Sequence, residues 1–407
     1  MERAGAVVVA ARRTPFASVG RALAGLDAPG LAAPVLAVLA ADLAAMAADS
    51  GGDARIGIDD VILGNCCGPG GDVARIAALA GGLGVEVPGV SVDRQCGSGL
   101  EAIRLAAAVV AAGEADVVLA GGTESASRWS GRRAAFAPAP FSDPEMGEAA
   151  EHLAVLRGVS RQRQDAYAAR SHARAAAAAR SGVFEAELVR LAGMSSDTRP
   201  RPGLDAATLA RFRPAFTAAG SVTAGNSCGI NDGAAAVAVV SEAWRARARV
   251  PGLRVLAAAV AGVDPATPGL GPVPAVEAVL KRAGLGLADV GVVEIVEAFA
   301  AQVLACTDAL GLDALGGDAG RVCPEGGALA VGHPWGASGA FSVMRLFSSL
   351  VRRPDGADSA WGEHASPYGI ATCAIGGGQG IAVLVERVGP SMPPILSGSA
   401  SPSRPAG

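Results

Sequence analysis

Short apolar runs alternate with Ala-rich stretches along most of this 407-residue chain, and that alternation restricts the fold more than any other feature. Runs at 5–10, 60–64, 90–93, 116–121, 253–262, 292–298, 328–332, 368–375 and 380–387 have the length and composition of buried strands. Stretches near 31–48, 98–112, 160–181, 272–284, 298–310 and 338–350 predict helices. The pattern is that of an α/β fold in which helices cover the faces of a sheet.

A faint internal repeat organises these elements. CGSGLEAIRLAAAVVAAG (96–113) is followed by ADVVLAGG (115–122), and GASGAFSVMRLFSSLV (336–351) is followed by YGIATCAIGGG (368–378). Each copy reads as a small-residue turn, a helix, a strand and a glycine cluster. Two related halves packed face to face would bring both turns to one cleft; coincidence in an Ala- and Gly-rich chain gives the same pattern. Residues 123–215 are richer in Pro and Arg and read as an insertion. Residues 388–407 are rich in Pro, Ser and Gly and read as a frayed tail.

Composition narrows the function classes. The chain is 51% hydrophobic and 18% charged, which excludes a disordered protein. A net charge of −4 argues against nucleic acid as partner. Pro34 and Asp42 interrupt the apolar stretch 31–48, so a soluble helix is expected there and no membrane partner. The apolar run near the N-terminus is too short for a signal peptide. Seven cysteines without a CxxC pair do not form a disulfide framework or a zinc ribbon. These features together place the chain in a reducing, cytoplasmic setting.

Cys96 is the leading candidate nucleophile. It follows an apolar run, opens the turn Gly97-Ser98-Gly99 and precedes a helical stretch. Unpaired N–H groups at a helix start favour a thiolate; a small buried cysteine fits the same context. His333 stands between glycines, before Pro334, where an imidazole can reach a cleft and supply acid–base help; a histidine in a structural turn is the alternative. His152, His172 and His364 sit in polar contexts and read as surface residues. Gly376-Gly377-Gly378 ends an apolar run, where backbone N–H groups can approach a substrate oxygen.

Eight motifs in order then resemble the thiolase family, the acyl-CoA C-acyltransferases. They are ARRTPF (11–16), VDRQCGSGLEA (92–102), GGTESAS (121–127), MGEAAE (146–151), SVTAGNSCGINDGAAA (221–236), EIVEAFAAQ (294–302), GGALAVGHPWGASGA (326–340) and ATCAIGGGQG (371–380). The resemblance covers about residues 4–387. It implies a thiolase-like α/β fold: two related halves form a five-layer α-β-α-β-α core with an inserted loop domain. The implied boundaries are 1–122 and 221–250 for the N-terminal half, 123–220 for the insertion, 251–387 for the C-terminal half and 388–407 for a tail. It also implies that acyl passes from a CoA or carrier-protein thioester onto the residue matching Cys96. His333 would activate that thiol, and the N–H groups of Cys96 and Gly376 would hold the oxyanion. No permanently bound cofactor or metal is implied. Met146, Cys228, Ala298 and Phe299 fall on substrate-binding positions, and Arg201 in DTRPRP matches an arginine that packs on the CoA adenine.

The departures from the family concern the second half-reaction. Ala374 stands where the family has a second cysteine that removes a proton from acetyl-CoA, and Cys373 lies one residue earlier. On a strand, neighbours face opposite sides, so Cys373 is expected to point away. Val296 replaces an asparagine that, with a water and the histidine, stabilises the enolate oxygen. Both losses serve one step, which predicts an acceptor other than acetyl-CoA; an ordinary acetyl-CoA acyltransferase with compensating groups and a non-catalytic acyl-CoA-binding partner are the alternatives. Asp93 replaces an Asn and would oppose a Cys96 thiolate if it pointed inward. Cys228 replaces a serine that contacts the pantetheine arm. The segment between Ser127 and Met146 is shorter than the loop that joins dimers in tetrameric members, which predicts a homodimer.

Overall fold

The computed structural model describes residues 5–49, 57–68, 70–353 and 366–390. Ten strands are present among these: β1 Ala6–Arg13, β2 Ala17–Ser18, β3 Asp60–Gly64, β4 Val90–Val92, β5 Val117–Ser125, β6 Asn231–Ser241, β7 Gly252–Gly262, β8 Val290–Ile295, β9 Tyr368–Ile375 and β10 Gln379–Val388. The helices are α1 Ala28–Asp49, α2 Val73–Ala80, α3 Ser98–Ala112, α4 Met146–Arg157, α5 Arg161–Arg180, α6 Ala206–Leu209, α7 Glu242–Ala248, α8 Pro272–Ala283, α9 Ala300–Leu310, α10 Ala328–Val331 and α11 Trp335–Phe347.

The strand order is β4-β3-β5-β6-β1-β7-β10-β9-β8, with β2 on β6. The repeat is visible in this order. In one half β3 pairs parallel with β5, β5 antiparallel with β6, and β6 antiparallel with β1. In the other half β8, β9, β10 and β7 repeat those three relations. The halves meet where β1 and β7 pair over only two residue pairs.

Three cores give the layers. Leu31, Leu36, Leu39 and Leu43 of α1 bury against one face of the N-terminal strands. Val276 and Val279 of α8 and Val303 and Leu304 of α9 bury against the C-terminal strands. Between the two halves of the strand order lie α3 and α11, sharing one core with Val118, Val237, Ile381 and Val383. This is the five-layer α-β-α-β-α arrangement. By length and composition α1 could cross a membrane, but its leucines are buried in the protein.

Small residues make the central layer possible. A Cβ on Gly99 would stand 2.6 Å from Gly336 O, and one on Gly339 would stand 2.6 Å from Leu100 N. Glycines at the repeated turns therefore set how closely α3 and α11 approach.

Three expectations change. Within the expected strand 328–332, Ala328–Val331 form the short helix α10, whose Leu329 N donates to Glu297 at 3.2 Å. The run 231–241, Ala-rich and not read as a strand, is β6, fully buried between β5 and β1. His172 is buried in α5, not on the surface, with its Nδ1 accepting from Arg201 N at 3.3 Å. The insertion leaves between the paired strands β5 and β6, yet Leu153, Tyr167, Ala168 and Leu209 bury in the C-terminal half's outer core. His364 lies outside the described residues, as does all of the expected tail beyond Pro390.

Candidate active site

Cys96 is held by a strained turn. Gln95 adopts φ +48°, a region that non-glycine residues avoid. Gly97 N donates to Arg94 O at 3.0 Å, and Ser98 Oγ donates to Gln95 O at 2.6 Å while accepting from Arg94 N at 2.7 Å. A side chain at Gly97 would meet Ile375 at 2.6 Å. The turn leaves Cys96 half-buried just before α3.

The helix start does not produce a resting thiolate. Burial pushes the Cys96 thiol up to about 12, with smaller contributions from Cys228, Cys67 and Glu124. Desolvation of the charged form outweighs the helix field. Asp93 is no part of this effect: it is exposed and accepts from Gln95 N at 2.7 Å. The nucleophile therefore needs a base.

His333 is built to be that base. It is 2% exposed, and its N–H donates to Gly229 O and Asn231 Oδ1, both at 3.2 Å. Ser338 Oγ donates to Pro334 O at 2.9 Å, so its lone pair accepts from His333 Nδ1–H at 2.6 Å. That fixes the tautomer with Nε2 unprotonated. Burial lowers the pKa to about 4, so the imidazole is neutral at neutral pH. The signal for Ser338 was present in the sequence: a hydroxyl five residues on, in the first turn of the following helix.

One cavity gathers the chemistry. It is lined by Cys96, Met146, Cys228, Ala298, Phe299, His333, Ala374 and Gly376. Gln302, in the EAFAAQ motif, and Trp335, beside the histidine turn, also line it and were not singled out from the sequence. Phe299 stacks edge-on with Phe216 at 5.9 Å. Arg201 is exposed and does not line the cavity. Val296 is buried in the central core, with its N–H on Thr372 O at 3.0 Å. Cys373 is fully buried in the same core, and its Sγ donates to Ala374 O at 3.1 Å. Strand alternation thus turns Cys373 away and Ala374 in.

Two buried carboxylates brace the site. Glu124 accepts from Asn65 Nδ2 at 2.9 Å, Cys67 N at 3.1 Å and Gly336 N at 3.1 Å, joining the loop after β3 to the start of α11. Cys66 Sγ donates to the same carboxylate at 2.9 Å. Glu297 accepts from Tyr167 Oη at 2.8 Å and Ser171 Oγ at 2.7 Å, tying the insertion to the histidine turn. The Cys66–Cys67–Glu124 cluster has metal-ligating residue types, but Glu124 already accepts from four N–H groups and a thiol.

Comparison with known proteins agrees with this geometry. Residues 6–139 and 135–243 match the family model of the thiolase N-terminal domain, and residues 250–387 match that of the C-terminal domain. An acetyl-CoA acetyltransferase of Pseudomonas aeruginosa is 40% identical over 415 residues, covering 94% of this chain and 99% of that protein. A beta-ketoadipyl-CoA thiolase of Escherichia coli is 38% identical, covering 92% of this chain and 98% of its own length. The crystal structure of the Bacillus anthracis acetyl-CoA acetyltransferase superposes with a TM-score of 0.80 at 33% identity, over 95% of this chain and 99% of that one. The cysteine turn, the histidine turn and the doubled sheet therefore have one explanation: the chain belongs to the thiolase family.

Proposed function

We propose that this chain is an acyltransferase that takes an acyl group from a CoA thioester onto Cys96 and passes it to a second acyl-CoA. The observation that carries the reading is a single cavity lined by Cys96 from one half and His333 from the other. His333 Nε2 takes the thiol proton as sulfur attacks the thioester carbonyl. The N–H groups of Cys96 and Gly376 receive the developing oxyanion. His333 then returns the proton to the departing CoA thiolate. The mostly apolar lining, with Met146, Ala149, Ala150, Leu153 and Phe299, suits the acyl chain and the pantetheine arm. Arg201 is a solvent-facing contact for the nucleotide end. We also propose that the enzyme is cytoplasmic and a homodimer, the latter from its short 127–146 segment.

The names of the relatives favour acetyl-CoA as the acceptor, as in ordinary carbon–carbon bond formation and thiolysis. A second reading, transfer to a different acceptor, is favoured by Ala374 and Val296, which remove a base and an oxyanion donor from the second step. Intact-mass spectrometry after mixing with a panel of acyl-CoAs, then with acetyl-CoA, amines, alcohols or CoA, separates the two. An acyl group that enters Cys96 and leaves only toward a non-thioester acceptor selects the second reading. A protein that is never acylated rejects both.

A further inference from the structure

We propose that Cys228 is the second catalytic thiol of this site and removes the α-proton of the acceptor thioester in place of the group missing at Ala374. The proposal rests on the Cys96 loading described above and names the group that serves its second step.

Cys228 lines the cavity that holds Cys96, His333 and Ala374. Its backbone is fixed, with its N–H on Ala298 O at 2.9 Å, and Ser227 Oγ before it donates to Thr223 O at 2.7 Å. Four of the other thiols have their own partners. Cys66 donates to Glu124, Cys306 to Gly269 O at 2.9 Å, Cys323 to Ile295 O at 3.4 Å and Cys373 to Ala374 O. Cys228 is partly buried, at the wall of that cavity.

Arg199 supplies the second, independent observation. Its guanidinium lies over the neighbouring Gly229, where a Cβ would stand 2.2 Å from Nη1. Its Nε is buried without a hydrogen bond, and its positive charge favours the Cys228 thiolate. A thiol beside a cation in a partly open pocket is the setting of reactive rather than structural cysteines. Burial raises the thiol to about 12, so the thiolate, once formed, is a strong base toward a carbon acid.

The step balances with groups already in the cavity. His333 Nε2 takes the Cys228 S–H proton, and the thiolate takes a proton from the carbon beside the acceptor carbonyl. That carbon bonds to the acyl carbon on Cys96, the Cys96 carbon–sulfur bond breaks, and the released thiolate takes the proton from His333. No oxidant, metal or further reactant enters.

The test is deuterium uptake into the methyl group of acetyl-CoA in heavy water, read together with acyl loading by intact mass. Wild type, Cys228→Ser, and Cys228→Ser combined with Ala374→Cys are compared. Wild type loads and exchanges. Cys228→Ser exchanges on the order of 10²-fold more slowly, the scale of a lost general base, while acyl-Cys96 still forms. Adding Ala374→Cys restores exchange, which a folding defect could not do. If Cys228→Ser exchanges within about threefold of wild type, or wild type loads without exchanging, this assignment is overturned and the loading stands. If wild type never loads, the proposed function falls and the assignment with it.

Discussion

In the N-terminal half the chain leaves β4, turns at Gln95–Gly97 and enters α3; in the C-terminal half it leaves α10, turns at Gly332–Pro334 and enters α11. Both turns hold unusual backbone: φ is +48° at Gln95 and +120° at Gly332, where a Cβ would stand 2.5 Å from Asn231. The first presents a half-buried thiol and the second a buried imidazole. The two helix-starting turns of a doubled fold have been given unlike chemistry, and each keeps its family residue, Cys96 or His333. Two departures that bear on the acceptor step sit elsewhere, at the ends of β8 and β9 in the C-terminal half, at Val296 and Ala374. On the proposed function, acyl loading falls to the two helix-starting turns and part of the acceptor step to the strand ends beside one of them.

The largest effect tests the first turn. Cys96→Ser is expected to abolish covalent loading in intact-mass spectra, and Cys373→Ser to leave it nearly intact because that sulfur faces the central core. Acyl groups persisting on the Cys96→Ser protein would move the nucleophile to another residue and end the comparison.

The second turn is tested next. His333→Ala is expected to slow single-turnover loading by roughly 10²-fold or more. The pH profile carries a further sign. Burial lowers His333 from 6.5 to about 4, so its neutral, proton-accepting form persists down to that pH. Loading by wild type should therefore hold through pH 6.5 and fall only near 4, and a limb at 6.5 would show that the imidazole is solvated.

Much of this pairing is legible in the sequence alone. The cysteine turn, the glycine-flanked histidine and the strand alternation that separates Cys373 from Ala374 all follow from local sequence. What stayed hidden depends on tertiary neighbours. The Ala-rich run 231–241 becomes a strand only because β1 and β5 flank it on both sides. Residues 328–331 are helical, and the one N–H of theirs that a buried carboxylate accepts, Leu329 N on Glu297, comes from a residue distant in sequence. His172 looked solvated in an Arg-rich helix, but its helix packs on the C-terminal half, and burial with Arg199 and Arg201 lowers it to about 4. Of the two alternatives that the sequence leaves open for Cys96, its protonation depends on burial, which raises the thiol and outweighs the helix start.

The strand ends can be sharpened by restoration. Val296→Asn and Ala374→Cys together are expected to raise acetoacetyl-CoA thiolysis by about tenfold or more, beyond the product of the single changes, because the two groups act on one step. Steady-state thiolysis of the four proteins decides it. A double variant no faster than wild type would mean that the strand ends do not limit the acceptor step. Ser338→Ala is a smaller change on the histidine turn. It frees the ring to adopt the other tautomer and is expected to slow loading about tenfold, less than loss of the imidazole itself. Equal loading by Ser338→Ala and wild type would show that burial alone orients the ring.

The smallest effect concerns how the two turns are held together. Gly99 in the first turn of α3 faces Gly336 and Ala340 in α11, and Gly339 of α11 faces Leu100 of α3. A methyl group at Gly99 would sit 2.6 Å from Gly336 O and 3.0 Å from Ala340 N, both backbone atoms that cannot rotate aside. A methyl at Gly339 would meet Leu100 N at 2.6 Å and Leu100 Cβ at 2.7 Å. Gly99→Ala and Gly339→Ala must therefore push the central helices apart, at a cost of about 1–3 kcal/mol each by the scale of overpacked cores. Their effects should be less than additive in the double variant, because the first separation already makes room for the second methyl. Denaturant unfolding of the two single variants and the double measures this coupling. Additive losses would mean that each glycine serves only its own helix, and the two turns would then be positioned by their sheets rather than by each other.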